Sequence, residues 1–144
     1  MRFPMFFDLH GRKVVVVGGG KIAQRRIAVL LSFGAEVTIV APEALEVPEG
    51  ALWQEKPYET GDLQGAFFAV AATNDRSVNH QVYLDAEAMH MPVSVADCCQ
   101  ECTFFFPAIC RGDNLVAGVV SDGTDHHKTA RAARAIRETL EELK

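Results

Sequence analysis

Apolar residues fall along this chain in two alternating rhythms. Val14-Val15-Val16-Val17 is a run of β-branched residues, which predicts a strand buried on both faces. Over residues 22–33 the rhythm becomes helical. Ile22, Ala23, Ile27, Leu30 and Leu31 form an apolar stripe, Lys21, Gln24, Arg25 and Arg26 face outward, and Gly34 stands where a helix ends. Residues 36–40 predict a second buried strand, which completes a β-α-β unit. A short third strand is expected over 52–56, a turn over 61–65, and an apolar fourth strand over 66–72. Residues 77–89 predict a helix, with Val78, Val82 and Ala86 in steps of four, and 92–96 a fifth strand closed by Asp97. The apolar stretch from Phe3 to Leu9 predicts a segment lying against the sheet or forming an edge strand.

Past Asp97 the alternation breaks. Residues 103–108 and 114–120 read as two antiparallel strands joined by Arg111-Gly112-Asp113. Thr124 or Asp125 then caps a last helix running to about Leu143. Its stripe of Ala133, Ile136, Leu140 and Leu143 is too apolar for an isolated exposed helix, which predicts burial against a second copy of the chain. The expected architecture is α/β: a Rossmann-type parallel sheet over residues 1–97, then a small β appendage and a dimerisation helix over 98–144.

The junction of the first strand and helix carries candidate chemistry. It reads Gly18-x-Gly20-x-x-Ala23, a dinucleotide fingerprint in its required context of strand before and helix after. Gly18 permits the tight turn, Gly20 lets a pyrophosphate approach the backbone, and Ala23 lets the helix pack on the strand. The helix N-terminus supplies N–H groups and a positive dipole end. Gly18, Gly20, Lys21 and Ile22 are therefore the candidate contacts to the cofactor. An acid for the ribose hydroxyls is expected at the end of the second strand. Here Glu43 follows Val40-Ala41-Pro42, and it is either that acid or a solvated loop residue. The absence of a nearby Arg for a 2′-phosphate favours NAD over NADP. Thr73, Asn74 and Asp75 end the fourth strand where an open α/β sheet binds ligands, and they are equally good turn residues.

Composition narrows the partners. The chain has 144 residues, 49% of them hydrophobic, enough for one domain with an appendage. A net charge of −5 argues against general nucleic-acid binding. No apolar run reaches the roughly 18 residues of a membrane span, and no signal-peptide pattern opens the chain. A cytoplasmic location with reduced cysteines is expected. Cys99-Gln100-Glu101-Cys102 has no second such pair, so no metal site is expected.

In order and spacing, the chain resembles the precorrin-2 dehydrogenase family, the NAD-dependent module of siroheme synthases. The resemblance rests on Phe3-Pro4-Met5-Phe6, Val17-Gly18-Gly19-Gly20, Ala72-Thr73-Asn74-Asp75 with Val78-Asn79, and Val93-Ser94-Val95-Ala96-Asp97. It closes on residues 102–108 with Arg111-Gly112 and Leu115. It implies NAD-dependent oxidation of precorrin-2 to sirohydrochlorin, homodimers, and in some members insertion of Fe²⁺. It also implies that Asp97 is catalytic, and a carboxylate at a strand end suits the loss of a hydride and a proton. The loop from Ser121 to His127 matches one that faces the tetrapyrrole, but His126-His127 stand where the family has Ser-Pro. A non-catalytic module binding NAD or a tetrapyrrole is the alternative reading of that departure. The substrate that the resemblance implies carries eight carboxylates. Between His126 and Arg137 lie Lys128, Arg131, Arg134 and Arg137 with no acid among them. Ser121, His126, Lys128, Arg131 and Arg134 are the candidate substrate contacts, against the alternative of a solvated charged face.

Overall fold

The computed structural model of the chain describes residues 2–143. The valine run forms β1, Lys13–Val17, and its four valines are at most 1% exposed. Such burial requires cover on both faces and both edges. β2 (Glu36–Ala41) and β4 (Phe68–Ala71) flank β1, with β3 (Ala51–Glu55) and β5 (Val93–Val95) outside them, in the order β3-β2-β1-β4-β5. Every pairing is parallel. α1 (Lys21–Ser32) joins β1 to β2, and α2 (Arg76–Ala88) joins β4 to β5. The strand order reverses at β1, the position at which open α/β sheets bind their ligands.

Val15, Val17, Val40, Ala69, Ala71, Val93 and Val95 project to one side of the sheet and pack with Val82 and Ala86 of α2. Each fully buried valine contributes roughly 1.5–3 kcal/mol. On α1 only Ala23, Ile27 and Leu30 are fully buried. Ile22, expected in the stripe, is 53% exposed at the helix start. Arg26, expected outside, donates to Ser94 Oγ of β5 at 3.3 Å, and burial holds its pKa below the ordinary guanidinium range.

Two connections lack the usual helix. Residues 42–50 link β2 to β3 without regular structure, and a single 3₁₀ turn, Thr60–Leu63, lies between β3 and β4. Pro42, Pro48 and Pro57 punctuate both stretches. Leu52 of β3 is consequently 71% exposed. Residues 2–9 form neither an edge strand nor a covered segment. Phe3, Met5 and Phe6 are 85, 65 and 73% exposed, and Phe7, 55% exposed, meets the edge of Phe67 at 5.4 Å between centroids. Pro4 removes a ladder donor.

The chain divides between Phe104 and Phe105 rather than after Asp97. The reason lies at the outer edge of β5. Thr103 N–H donates to the Val93 carbonyl at 2.9 Å, and the Val93 N–H donates to Thr103 Oγ1 at 2.8 Å. The Val95 N–H donates to Cys102 Sγ at 3.1 Å, and Phe104 packs 4.6 Å from Phe68. Residues 102–104 thus finish the first unit, and the strand expected over 103–108 begins only at Ala108.

In the second unit β6 (Ala108–Arg111) pairs antiparallel with β7 (Val116–Val119), and α3 (His126–Glu142) follows. Asp125 caps α3 by accepting from the Lys128 N–H at 2.9 Å. Ala133, Ile136 and Leu140 pack on Ala108, Cys110, Ala117 and Val119 of this sheet. The stripe expected to meet a second copy is therefore covered by its own chain. Only Leu143, 68% exposed, is left out.

Candidate functional site

The turn after β1 is built from three consecutive glycines with different tasks. Gly18 has φ +123°, and a Cβ there would stand 2.2 Å from the Ala72 carbonyl oxygen. Only glycine lets β1 turn so close to the end of β4. At Gly19 a Cβ would stand 2.3 Å from the Glu43 carbonyl oxygen, and the Gly19 carbonyl accepts from the Leu45 N–H at 3.0 Å. Sequence reasoning gave this middle glycine no role, because the fingerprint leaves its position open. At Gly20 a Cβ would meet nothing within 4 Å.

Gly20 also caps α1 with no side-chain hydrogen bond. The first-turn N–H groups and the positive dipole end are left for an anion beside open space. That is the cradle a pyrophosphate needs. Lys21 and Ile22 are both exposed at this helix start. Glu43 lies exposed at the end of β2, its backbone against Gly19.

At the end of β4, Asn79 does what sequence reasoning did not foresee. It is fully buried, accepts at Oδ1 from the Thr73 N–H (3.0 Å) and hydroxyl (2.7 Å), and donates through Nδ2 to the Thr73 carbonyl (3.1 Å). An amide four residues into the helix, on the face that carries Val82 and Ala86, was the available signal. The Asp75 carboxylate caps α2, accepting from the Ser77 N–H at 2.9 Å and hydroxyl at 2.6 Å. These bonds hold its pKa below the ordinary carboxylate range. Thr73 and Asp75 are thus committed to shaping the strand end. Asn74 between them is exposed and makes no side-chain hydrogen bond among the described residues.

Asp97 follows β5. Val17 is in register with Ala71, and Ala71 with Val95, so the glycine turn, Thr73 and Asp97 leave the sheet at one level. At a strand spacing of about 4.8 Å, Asp97 stands two strands, roughly 10 Å, from the glycine turn. It is not alone. Arg76 Nη1 donates to Asp97 Oδ1 at 2.6 Å, and Arg76 Nη2 pairs with Glu101 Oε2. His80 Nδ1 lies 2.7 Å from Glu101 Oε1. Partial desolvation works against the Arg76 charge, but Glu101 and Asp97 outweigh it and raise its pKa. Desolvation likewise pushes Glu101 up, while hydrogen bonds from His80 and Arg76 bring it below the ordinary range. The Arg76 and Asp97 side chains are 44 and 38% exposed, so solvent screens their pair and it adds little to stability. Neither Arg76, His80 nor Glu101 stood out in the sequence, since they join only when β5 and α2 are packed.

The remaining candidates lie in the second unit. Ser121 Oγ accepts from the Gly123 N–H at 3.2 Å. His126 and Lys128 are exposed in the first turn of α3. Arg134 pairs with Glu138 at 3.0 Å, and Arg137 donates to the Ile109 carbonyl at 3.0 Å. Arg131 is exposed and makes no hydrogen bond or ion pair among the described residues.

A five-stranded parallel sheet in this order, with a glycine cradle at its switch point and an open helix N-terminus beside it, defines a Rossmann-type dinucleotide-binding domain. Residues 5–108 match a family model described as "Putative NAD(P)-binding". The solved structure of SirC, precorrin-2 dehydrogenase, superposes with a TM-score of 0.77 at 30% identity, over 96% of this chain and 71% of that one. The chain is 47% identical over 137 residues to the "Probable multifunctional siroheme biosynthesis protein HemA" of Ruminiclostridium josui, covering 91% of this chain and 27% of the relative. It is 42% identical over 142 residues to the siroheme synthase of Pseudomonas putida (strain W619), covering 94% and 30%. The chain belongs to the precorrin-2 dehydrogenase family, and its cofactor is NAD. It spans less than a third of the length of these two curated relatives.

Proposed function

We propose that this protein is an oxidoreductase that converts precorrin-2 to sirohydrochlorin in siroheme biosynthesis. The observation that carries the reading is the shared level of the glycine turn and Asp97 at the carboxyl end of one parallel sheet. When bound, NAD⁺ supplies the hydride acceptor. The chain's own residues do the rest. Gly18, Gly20 and the first N–H groups of α1 would hold the pyrophosphate, and Glu43 and Asn74, both exposed, would meet the ribose and nicotinamide ends. The Asp97 carboxylate receives the proton that the macrocycle loses with the hydride. On the second unit, Arg131 receives a substrate carboxylate in its planar fork, because Arg134 and Arg137 already have partners. Ser121, His126 and Lys128 lie on the loop and first turn before it.

Precorrin-2 and NAD⁺ incubated with the full chain should give NADH and sirohydrochlorin in equal amounts by absorbance. NAD binding without turnover would make the protein a non-catalytic module instead. Arg131→Ala should raise the KM for precorrin-2 and leave NAD affinity alone, and its residual binding should weaken less with salt than the parent's.

A cytoplasmic homodimer is part of the same proposal. Among the described residues no helix is long and apolar enough to cross a membrane. The second unit has two strands and one helix, too little to bury its apolar residues by itself. Leu115, Val116 and Val120 are 46, 43 and 42% exposed on it. Sedimentation at micromolar concentration should give twice the chain mass, and a monomer throughout would remove the dimer.

A further inference from the structure

Arg76 is the first residue of α2, where the positive end of the helix dipole disfavours a cation. Two carboxylates hold it there, and they hold it unequally. Glu101 is the inner partner: its side chain is 17% exposed, and His80 grips its other oxygen at 2.7 Å. Asp97 is the outer partner: its side chain is 38% exposed, with Arg76 Nη1 at 2.6 Å. An incoming anion would therefore displace Asp97 and leave Glu101 in place. Asp97 is also the group that must be released from its cation to accept a proton. The substrate proposed above carries carboxylates around its rim, and a carboxylate replaces a side-chain carboxylate on a guanidinium like for like.

We propose that Arg76 is a substrate-carboxylate site that exchanges Asp97 for an acid side chain of the tetrapyrrole, freeing Asp97 as the substrate docks. The proposal rests on the precorrin-2 reading. Glu101 and His80 are positioning residues that keep the guanidinium aimed during the exchange. One bond type replaces another, an ion pair for an ion pair, so the step needs no further reactant. It makes Asp97 a competitor of the substrate before it is a participant. A residue that merely orients Asp97 would not behave so.

The full chain, titrated with sirohydrochlorin and followed by the pigment's visible absorbance, tests this without turnover. Arg76→Ala should raise the Kd about tenfold, the worth of a charged hydrogen bond, and Arg76→Lys should fall between it and the parent. Asp97→Asn should tighten binding about two- to fivefold, the range an exposed ion pair allows. In the double variant that gain should vanish. NAD titration of each variant checks the fold. If Arg76→Ala is poorly folded, Asp97→Asn alone and Arg76→Lys still decide. An unchanged Kd in Arg76→Ala with lost turnover would make Arg76 a positioning residue only and overturn the exchange. So would an Asp97→Asn variant that binds no tighter, or a gain that persists without Arg76. If the parent neither binds sirohydrochlorin nor oxidises precorrin-2, the functional reading falls and takes the exchange with it. Parent binding and turnover with unmoved variants defeats the exchange alone.

Discussion

Gly20→Val should give a folded protein that has lost NAD, and Gly18→Ala a protein that has lost much of its fold. The two positions are two residues apart in one turn, yet they differ in what surrounds them. At Gly20 the backbone is extended, φ −82° and ψ −171°, which any residue adopts, and a Cβ meets nothing within 4 Å. Valine there fills the open space proposed for the cofactor's phosphates. The helix-cap penalty is roughly 1 kcal/mol, small against a total stability of about 5–15 kcal/mol. NAD affinity should fall at least about hundredfold, close to 3 kcal/mol, while the melting transition moves by a few degrees. At Gly18 a side chain meets the Ala72 carbonyl oxygen at 2.2 Å in a conformation of φ +123°. Backbone strain costs about 1–3 kcal/mol, and forcing β1 and β4 apart costs a further 1–3 kcal/mol or so. Calorimetry and equilibrium NAD titration on both variants check the contrast. Unchanged NAD affinity in a folded Gly20→Val protein would remove the pyrophosphate from this turn.

Asp97→Ala should abolish most turnover and spare both the fold and NAD binding. A general base is worth about 10²–10⁴-fold in rate, and a loss of that size is expected in kcat. The fold survives because the Arg76 pair it breaks is exposed and weak, and Arg76 keeps Glu101. NAD affinity survives because Asp97 stands two strands from the glycine cradle, roughly 10 Å at the usual spacing. Stopped-flow absorbance at 340 nm reports the rate, and tryptophan fluorescence with NAD reports the binding. Turnover like the parent's would take Asp97 out of the chemistry. Loss of NAD binding would place Asp97 at the cofactor instead.

Much of this molecule could be read from periodicity. A run of valines, a helical stripe and a second apolar run dictate a β-α-β unit, because a parallel strand must be covered on both faces. The glycine spacing dictates the tight turn from β1 into α1, because backbone geometry there is local. The start of α3 is also local: Asp125 caps it through a bond three residues long. The family resemblance then supplied Asp97, which residue type alone would have left as a turn acid.

What the sequence did not determine is set by partners far apart in the chain. Gly19 matters because residue 43 folds back over it. Thr103 and Cys102 belong to the first unit because they satisfy the outer edge of β5, which no hydrophobic pattern records. The α3 stripe looked like an interface, but a helical stripe states only that something covers it. The tertiary structure names β6 and β7 as the cover. Arg76, His80, Asp97 and Glu101 are scattered charges until α2 packs beside β5 and brings them together. Local rules fix which elements form because a residue's backbone preference and the spacing of its apolar neighbours lie within a few positions. Which charges pair, and which faces are covered, depends on distances across the fold that no short stretch of chain contains.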